Sequence, residues 1–200
     1  MKIKTLESKN NKLVFELDGA TPEQINSLRR AAVYKVPVLA IEDVYFTENN
    51  SVLYDEQVAI RLGLLALKTD VDKMKLPTEC TCKGKGCKKC QVKIALKEKG
   101  PKMIYAKDLK ITGAEALYPE TPIVWLEESH ELDLKADAVL GIGEDHAKWN
   151  TSWMYYKAES SGAAPKFRVT LESWGQLAPK VILKKAVDVV KKELGELKLK

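Results

Sequence analysis

The chain has 200 residues, 45% of them hydrophobic, and a formal net charge of +5, enough to bury a sizeable core in one large domain or two small ones. No apolar run approaches the ~18 residues of a membrane-spanning helix, and the opening Met1-Lys2-Ile3-Lys4-Thr5-Leu6-Glu7 has no apolar leader. A soluble, cytoplasmic protein is therefore expected, with no membrane partner and no meaning in the Asn-x-Ser matches at Asn49 and Asn150; the mild positive charge suits an acidic surface or nucleic acid nearby without establishing either.

Residues 2–6 and 12–17 read as strands, with Asn10-Asn11 as the turn between them and Asp18-Gly19 ending the second. A helix follows with marked ends. Thr21 is placed to cap it, Gln24 stands where a capping box wants Glu or Gln, and Pro22 fits the first helical position because the N–H it lacks would be unpaired there. Ile25, Leu28 and Ala32 form an apolar stripe, while Asn26, Arg29 and Arg30 line another side. Pro37 ends the helix by pushing the residue before it out of the α region. From periodicity alone this is an ordinary amphipathic core helix. An apolar strand then runs to Phe46 and a polar loop covers Thr47–Ser51. Residues 55–67 read as a second helix, with Val58, Leu62 and Leu65 at helical spacing.

All four cysteines lie in one short segment, Cys80, Cys82, Cys87 and Cys90, spaced C-x-C-x4-C-x2-C. Four thiolates on so short a loop can converge on one tetrahedral metal ion, and Gly84 and Gly86 let the backbone wrap around it. Lys83, Lys85, Lys88 and Lys89 offset the negative charge of the thiolates. The alternatives are two disulfides, which a cytosolic chain disfavours, or four idle thiols. Structural zinc is the expected occupant, with an iron–sulfur cluster as the other candidate. Four cysteines fill the coordination sphere, which argues against a catalytic metal.

Beyond the loop, Gln91–Lys97 alternates as a half-buried strand, and Gly100-Pro101 is a turn. Further strands are expected at 103–105, 123–126, 132–140, 151–157 and 167–171. Gly141-Ile142-Gly143-Glu144-Asp145-His146-Ala147-Lys148-Trp149 lacks the third glycine and the βαβ setting of a phosphate loop. No nucleophile motif accompanies His146, so a structural hydrogen-bonding role is its default. A final helix begins near Pro179, with Ile182, Ala186, Val189, Val190, Leu194 and Leu197 at helical spacing and lysines facing elsewhere. That stripe is long for a helix packing only on its own small domain, so a partner helix is plausible.

Several separated blocks resemble one family. Asn26-Ser-Leu-Arg-Arg30 with the following Val36–Val44, Asn50–Glu56 with Arg61–Leu67, the cysteine loop, and Gly141-Ile-Gly143 with His146-Ala-Lys148-Trp149 are together similar to the assembly subunits of RNA polymerase. These are the D-type subunit of archaeal DNA-directed RNA polymerase, the third-largest subunit of eukaryotic polymerase II, and the bacterial alpha amino-terminal domain. The chain departs from the family pattern at Ile60, where His is usual, and at Ala66, where Pro is usual.

The resemblance implies an α+β protein. A discontinuous, alpha-like dimerisation domain of residues 1–42 and 164–200 carries an inserted β-rich domain, 43–163, that holds the metal loop 80–90. It implies a subunit without a catalytic site or small-molecule substrate, pairing with a smaller relative, the L-type subunit of RNA polymerase. That heterodimer then nucleates assembly of the large catalytic subunits with the small assembly subunits, and nucleic acid is met only indirectly. The implied partner-binding residues are Ile25, Leu28, Arg29, Arg30, Ala32, Ile182, Ala186, Val189, Val190 and Leu194. The implied docking turn for the large subunits uses Gly141, Gly143, His146, Lys148 and Trp149. Many archaeal relatives carry an extra cysteine-rich, ferredoxin-like domain near 159–165, where this chain has only a short Ser/Gly/Ala connection. A free-standing zinc-loop protein binding nucleic acid through its lysines is the rival reading, and a zinc hydrolase the third.

Overall fold

A computed structural model describes residues 2–68, 70–160 and 165–196; of the connection expected at 159–165, residues 161–164 lie outside them while Glu159 and Ser160 belong to the strand Ser152–Ser160, and the last stripe position, Leu197, also lies outside. In chain order the elements are β1 (Lys2–Lys9), β2 (Lys12–Asp18), α1 (Pro22–Arg30), a π-helical turn (Ala31–Lys35), β3 (Val38–Asn49) and α2 (Asp55–Gly63). Then come β4 (Leu67–Lys68), β5 (Gln91–Lys99), β6 (Lys102–Tyr105), β7 (Lys110–Ile111), β8 (Glu115–Ala116), β9 (Pro122–Leu126) and β10 (Glu131–Gly141). The chain closes with β11 (Ser152–Ser160), β12 (Lys166–Ser173) and α3 (Pro179–Glu196). The elements fall into two compact units, Met1–Pro37 with Ile142–Lys200, and Val38–Gly141.

The first unit is an antiparallel sheet in the order β1-β2-β12-β11. Period-2 alternation sends Phe15, Leu17, Val169 and Leu171 to one buried face, where Phe15 stands opposite Val169 and Leu17 opposite Phe167. Ile25 of α1, Ala32 of the π turn, and Ile182 and Ala186 of α3 are fully buried in the same unit. The predicted cap of α1 is present: Gln24 N–H donates to Thr21 Oγ1 (3.4 Å) and Thr21 N–H donates to Gln24 Oε1 (3.1 Å). Thr21→Ala removes the cap and is expected to cost about 1 kcal/mol, readable as a lower urea midpoint at unchanged slope.

The helix does not continue regularly to Pro37. It widens into the π turn at Ala31. The Thr151 hydroxyl donates to the Ala32 carbonyl at 2.6 Å, and a side chain entering the helical ladder is one of the identifiable causes of such a distortion. Lys35, the last residue of the turn, pairs with Glu193 of α3 (2.5 Å) and Glu144 (3.6 Å).

The second unit is built on the sheet β3-β10-β5-β7, with two small sheets, β4-β8 and β6-β9. Val92, Ile94 and Leu96 of β5 are buried opposite Ala138, Ala136 and Leu134 of β10. The other face carries ion pairs between Lys93 and Asp137 (2.7 Å), Lys97 and Asp133 (2.5 Å), and Lys99 and Glu131 (2.8 Å).

Several sequence boundaries move. Residues 38–42 group with the second unit, because β3 is one continuous strand paired along its length to β10, from Val38 opposite Gly141 to Asn49 opposite Leu132. The same pairing makes Thr47–Asn49 strand rather than loop. The return to the first unit falls at Ile142 rather than 164, because β11 is hydrogen-bonded to β12. The second helix ends at Gly63 rather than 67, and Leu67 instead pairs with Ala116. Among the described residues no helix is long and apolar enough to cross a membrane.

Candidate functional site

The cysteine loop lies between a single 3-10 turn, Pro77–Glu79, and the first residue of β5. Cys80 and Cys90, at its two ends, are buried; Cys82 and Cys87 are half-buried. Backbone hydrogen bonds close it tightly: Lys83 N–H to the Cys80 carbonyl (3.0 Å), Lys85 to Cys82 (3.2 Å) and Cys90 to Cys87 (2.9 Å). Lys75 N–H donates to the Lys89 carbonyl at 2.8 Å and ties the loop to the preceding chain.

The four sulfurs lie within 4.8 Å of one another. Individual separations are 3.6 Å (Cys80–Cys87), 3.4 Å (Cys82–Cys90) and 3.7 Å (Cys87–Cys90). A disulfide needs about 2.0 Å, so these are four free thiols. A tetrahedral ion with metal–sulfur bonds of about 2.3 Å spaces its ligands about 3.8 Å apart, and the observed distances fit one such ion. A cluster with several iron atoms spreads its thiolates over separate metals and needs a wider cage. Cys87 N–H points at Cys90 Sγ (3.4 Å), the kind of amide contact that orients a thiolate ligand. Burial pushes the Cys90 thiol up to about 12, while hydrogen bonding to Cys90 and then Cys80 lowers Cys82. A bound divalent cation reverses the first of these by deprotonating the thiol outright.

Gly86 has φ +80°, and a Cβ there would lie 2.1 Å from Gln91 Oε1. Gly86→Ala is thus strained in its backbone and displaces the Gln91 side chain, a cost of about 1–2 kcal/mol for the left-handed conformation alone. Metal is expected to leave this variant measurably faster under chelator challenge, followed with a chromogenic metal indicator.

The residues expected to face a partner helix do not form one open stripe. Ile25, Ala32, Ile182 and Ala186 are 0% exposed in the unit itself and belong to its core. Leu28, Val189 and Val190 are half-exposed, and Leu194 is 63% exposed. Val181, on α3 but not anticipated, is 38% exposed. Arg29 is held by its own helix, donating Nε (3.1 Å) and Nη2 (2.9 Å) to Asn26 Oδ1. Arg30 is exposed.

The Gly141–Trp149 segment is also only partly open. Gly141 and Trp149 are buried and Gly143 half-buried. A Cβ on Gly143 would lie 2.2 Å from Asn150 Oδ1 and 3.0 Å from Tyr34 Cα, so glycine permits the turn to approach the π turn, where Glu144 N–H donates to the Tyr34 carbonyl (3.1 Å). His146 is exposed and caps the next 3-10 turn through Nδ1, which accepts from Lys148 N–H at 3.0 Å. Its ring meets Trp149 edge-on at 6.4 Å, and the Lys148 ammonium lies 4.5 Å from the centre of the Trp149 ring. The exposed surface here is therefore Glu144, Asp145, His146 and Ala147. Sequence reading missed Thr151 and Lys35, whose contacts with Ala32 and Glu193 span 119 and 158 residues and leave no local signal.

A sheet-and-helix unit interrupted by a β-rich insert with a four-thiol centre defines a class. The family model for the RNA polymerase Rpb3/RpoA insert domain matches residues 44–155. The chain is 40% identical over 159 residues to the DNA-directed RNA polymerase subunit Rpo3 of Methanosphaera stadtmanae, covering 76% of this chain and 58% of the relative. It is 43% identical over 138 residues to that of Methanopyrus kandleri, covering 68% and 50%. With that of Thermoplasma volcanium it shares 34% over 202 residues, covering 92% and 73%. The chain belongs to the Rpo3 family of DNA-directed RNA polymerase subunits. It spans half to three-fifths of the length of the first two of these relatives.

Proposed function

We propose that this chain is a non-catalytic, cytoplasmic assembly subunit of DNA-directed RNA polymerase. It pairs with a smaller subunit of the L type, and the pair seats the large catalytic subunits and small assembly subunits. Membership of the Rpo3 family supports the subunit role over a free-standing nucleic-acid-binding protein. The observation that carries the pairing is the division of α3: one side is sealed in the core by Ile182 and Ala186, while on the flank beside it Val190 is half-covered and Leu194 stays in water. A second amphipathic helix laid on that open side, beside Leu28 of α1, would complete a helical bundle.

On this reading Met1–Pro37 with Ile142–Lys200 is the dimerisation domain and Val38–Gly141 the insert. Large-subunit docking rests on His146 and its acidic neighbours, with Gly141, Gly143, Lys148 and Trp149 shaping the turn beneath them. The metal on this reading is zinc, held by Cys80, Cys82, Cys87 and Cys90: the sulfur spacing suits a single tetrahedral ion, and a closed set of four thiolates on a short loop is the usual form of a structural zinc site. Such a site supplies folding energy to its loop rather than chemistry.

The test is reconstitution in stages. The chain with its small partner is expected to capture the two large subunits, and either one alone to fail. Large subunits that assemble equally well without this chain overturn the reading. Elemental analysis is expected to find one zinc per chain; iron in its place contradicts the metal assignment.

A further inference from the structure

The metal loop presents a second feature that neither pairing nor folding uses. Between Cys80 and Cys90 the side chains are Thr81, Lys83, Lys85, Lys88 and Lys89, apart from the cysteines and two glycines, and no acidic residue intervenes. All four lysines are exposed. None makes an ion pair among the described residues, whereas lysines such as Lys12, Lys68, Lys93 and Lys107 are each matched to a carboxylate. Neutralising the centre does not consume them. Four thiolates and one divalent ion leave two negative charges, and four lysines exceed these by two.

We propose that this loop is a contact site for the phosphate backbone of nucleic acid, bound without regard to sequence. This goes beyond the assembly role, in which nucleic acid is met only through the large subunits. The composition selects the ligand. A protein partner would need an apolar or aromatic anchor at the centre of its contact, and the exposed loop side chains are lysine and threonine only. Lysine is a point charge suited to phosphate; base reading would call for the planar fork of arginine, and single-strand stacking for an aromatic ring. The loop is closed by its own backbone hydrogen bonds and carries left-handed residues at Lys83, Gly84 and Gly86. The backbone therefore carries the lysine stems from a fixed frame, and contact need not order the loop itself.

The experiment uses the full, metal-loaded chain and a fluorescein-labelled DNA duplex of random sequence, read by anisotropy. Four phosphate contacts give a logarithmic salt slope of about −3.6, or about a hundredfold loss of affinity over a fourfold rise in salt. Changing Lys83, Lys85, Lys88 and Lys89 together to Ala is expected to abolish most of the binding and flatten that slope. Changing all four to Arg is expected to keep it, and Lys191→Ala with Lys192→Ala on α3 to leave it nearly unchanged. Metal content of each variant, measured in parallel, confirms that the loop is intact. Unchanged DNA affinity in the alanine variant overturns the proposal. So does absence of DNA binding by the wild-type chain, or tighter binding of polyglutamate than of DNA, which would assign the loop to an acidic protein. A chain that pairs with its small partner yet ignores DNA overturns this inference alone and leaves the assembly reading standing.

Discussion

Cys90→Ser is expected to empty the metal centre and unfold the loop while leaving most of the second unit intact. Cys90 is buried and is the residue immediately before β5. Its replacement removes one of four ligands and leaves a hydroxyl in a site shaped for a thiolate. Structural zinc in short cysteine loops is worth roughly 10–16 kcal/mol of apparent binding free energy, and this loop has little else to hold it. Its side chains outside the cysteines are lysines and one threonine, and its backbone bonds are turns. The damage should fade along β5. Gln91 and Val92 are anchored next to the loop, but Ile94 and Leu96 are fully buried opposite Ala136 and Leu134. Metal content is expected to fall from one ion per chain to none, with amide protection lost through residue 92 and retained at 94–98 by hydrogen exchange. Full metal retention by Cys90→Ser would contradict the four-thiolate site; global loss of protection would contradict a locally acting centre.

The second large effect separates the two sides of α3. Val190→Asp together with Leu194→Asp places one charge at a half-covered position and one in water, so the isolated chain should melt only modestly below the wild type. On the proposed pairing the same charges would be buried against apolar surface, and affinity for the small partner should fall at least a hundredfold, about 2.7 kcal/mol. Ile182→Asp is the counterpart. Its side chain is fully buried beneath the helix, so an unpaired carboxylate there should destabilise the chain itself. Titration of the partner by calorimetry and thermal melting of the free chain read the two effects independently. If the outer pair destabilises the chain as far as Ile182→Asp does, or leaves partner affinity untouched, the division of the helix is misassigned.

How far these sites could be read from sequence depends on how local their causes are. The Thr21-Pro22-Gln24 cap and the cysteine spacing are each complete within a few residues, and both take their anticipated form. The alternation of Val92, Ile94 and Leu96 is likewise local, and all three are buried. What escaped depends on distant partners. The π turn answers to Thr151, and the strand character of Thr47–Asn49 comes from pairing with β10 despite a polar, turn-like composition. The unit boundary at Gly141 arises because β11 is already paired to β12 in the first sheet. The α3 stripe shows the limit most clearly: periodicity marks its apolar positions but cannot say which of them the chain's own sheet already covers. Ile182 and Ala186 went to the core and Leu194 did not. The family resemblance implies partner-binding positions on both helices and does not separate those that the chain's own core already covers.

The most direct measurement is native mass spectrometry of this chain co-expressed with an L-type subunit. The account predicts a single one-to-one complex that retains one zinc ion, and self-association when the chain is prepared alone, because Leu194 and part of Val190 stay uncovered on α3. A monodisperse monomer that remains unpaired in the presence of the small subunit would contradict it.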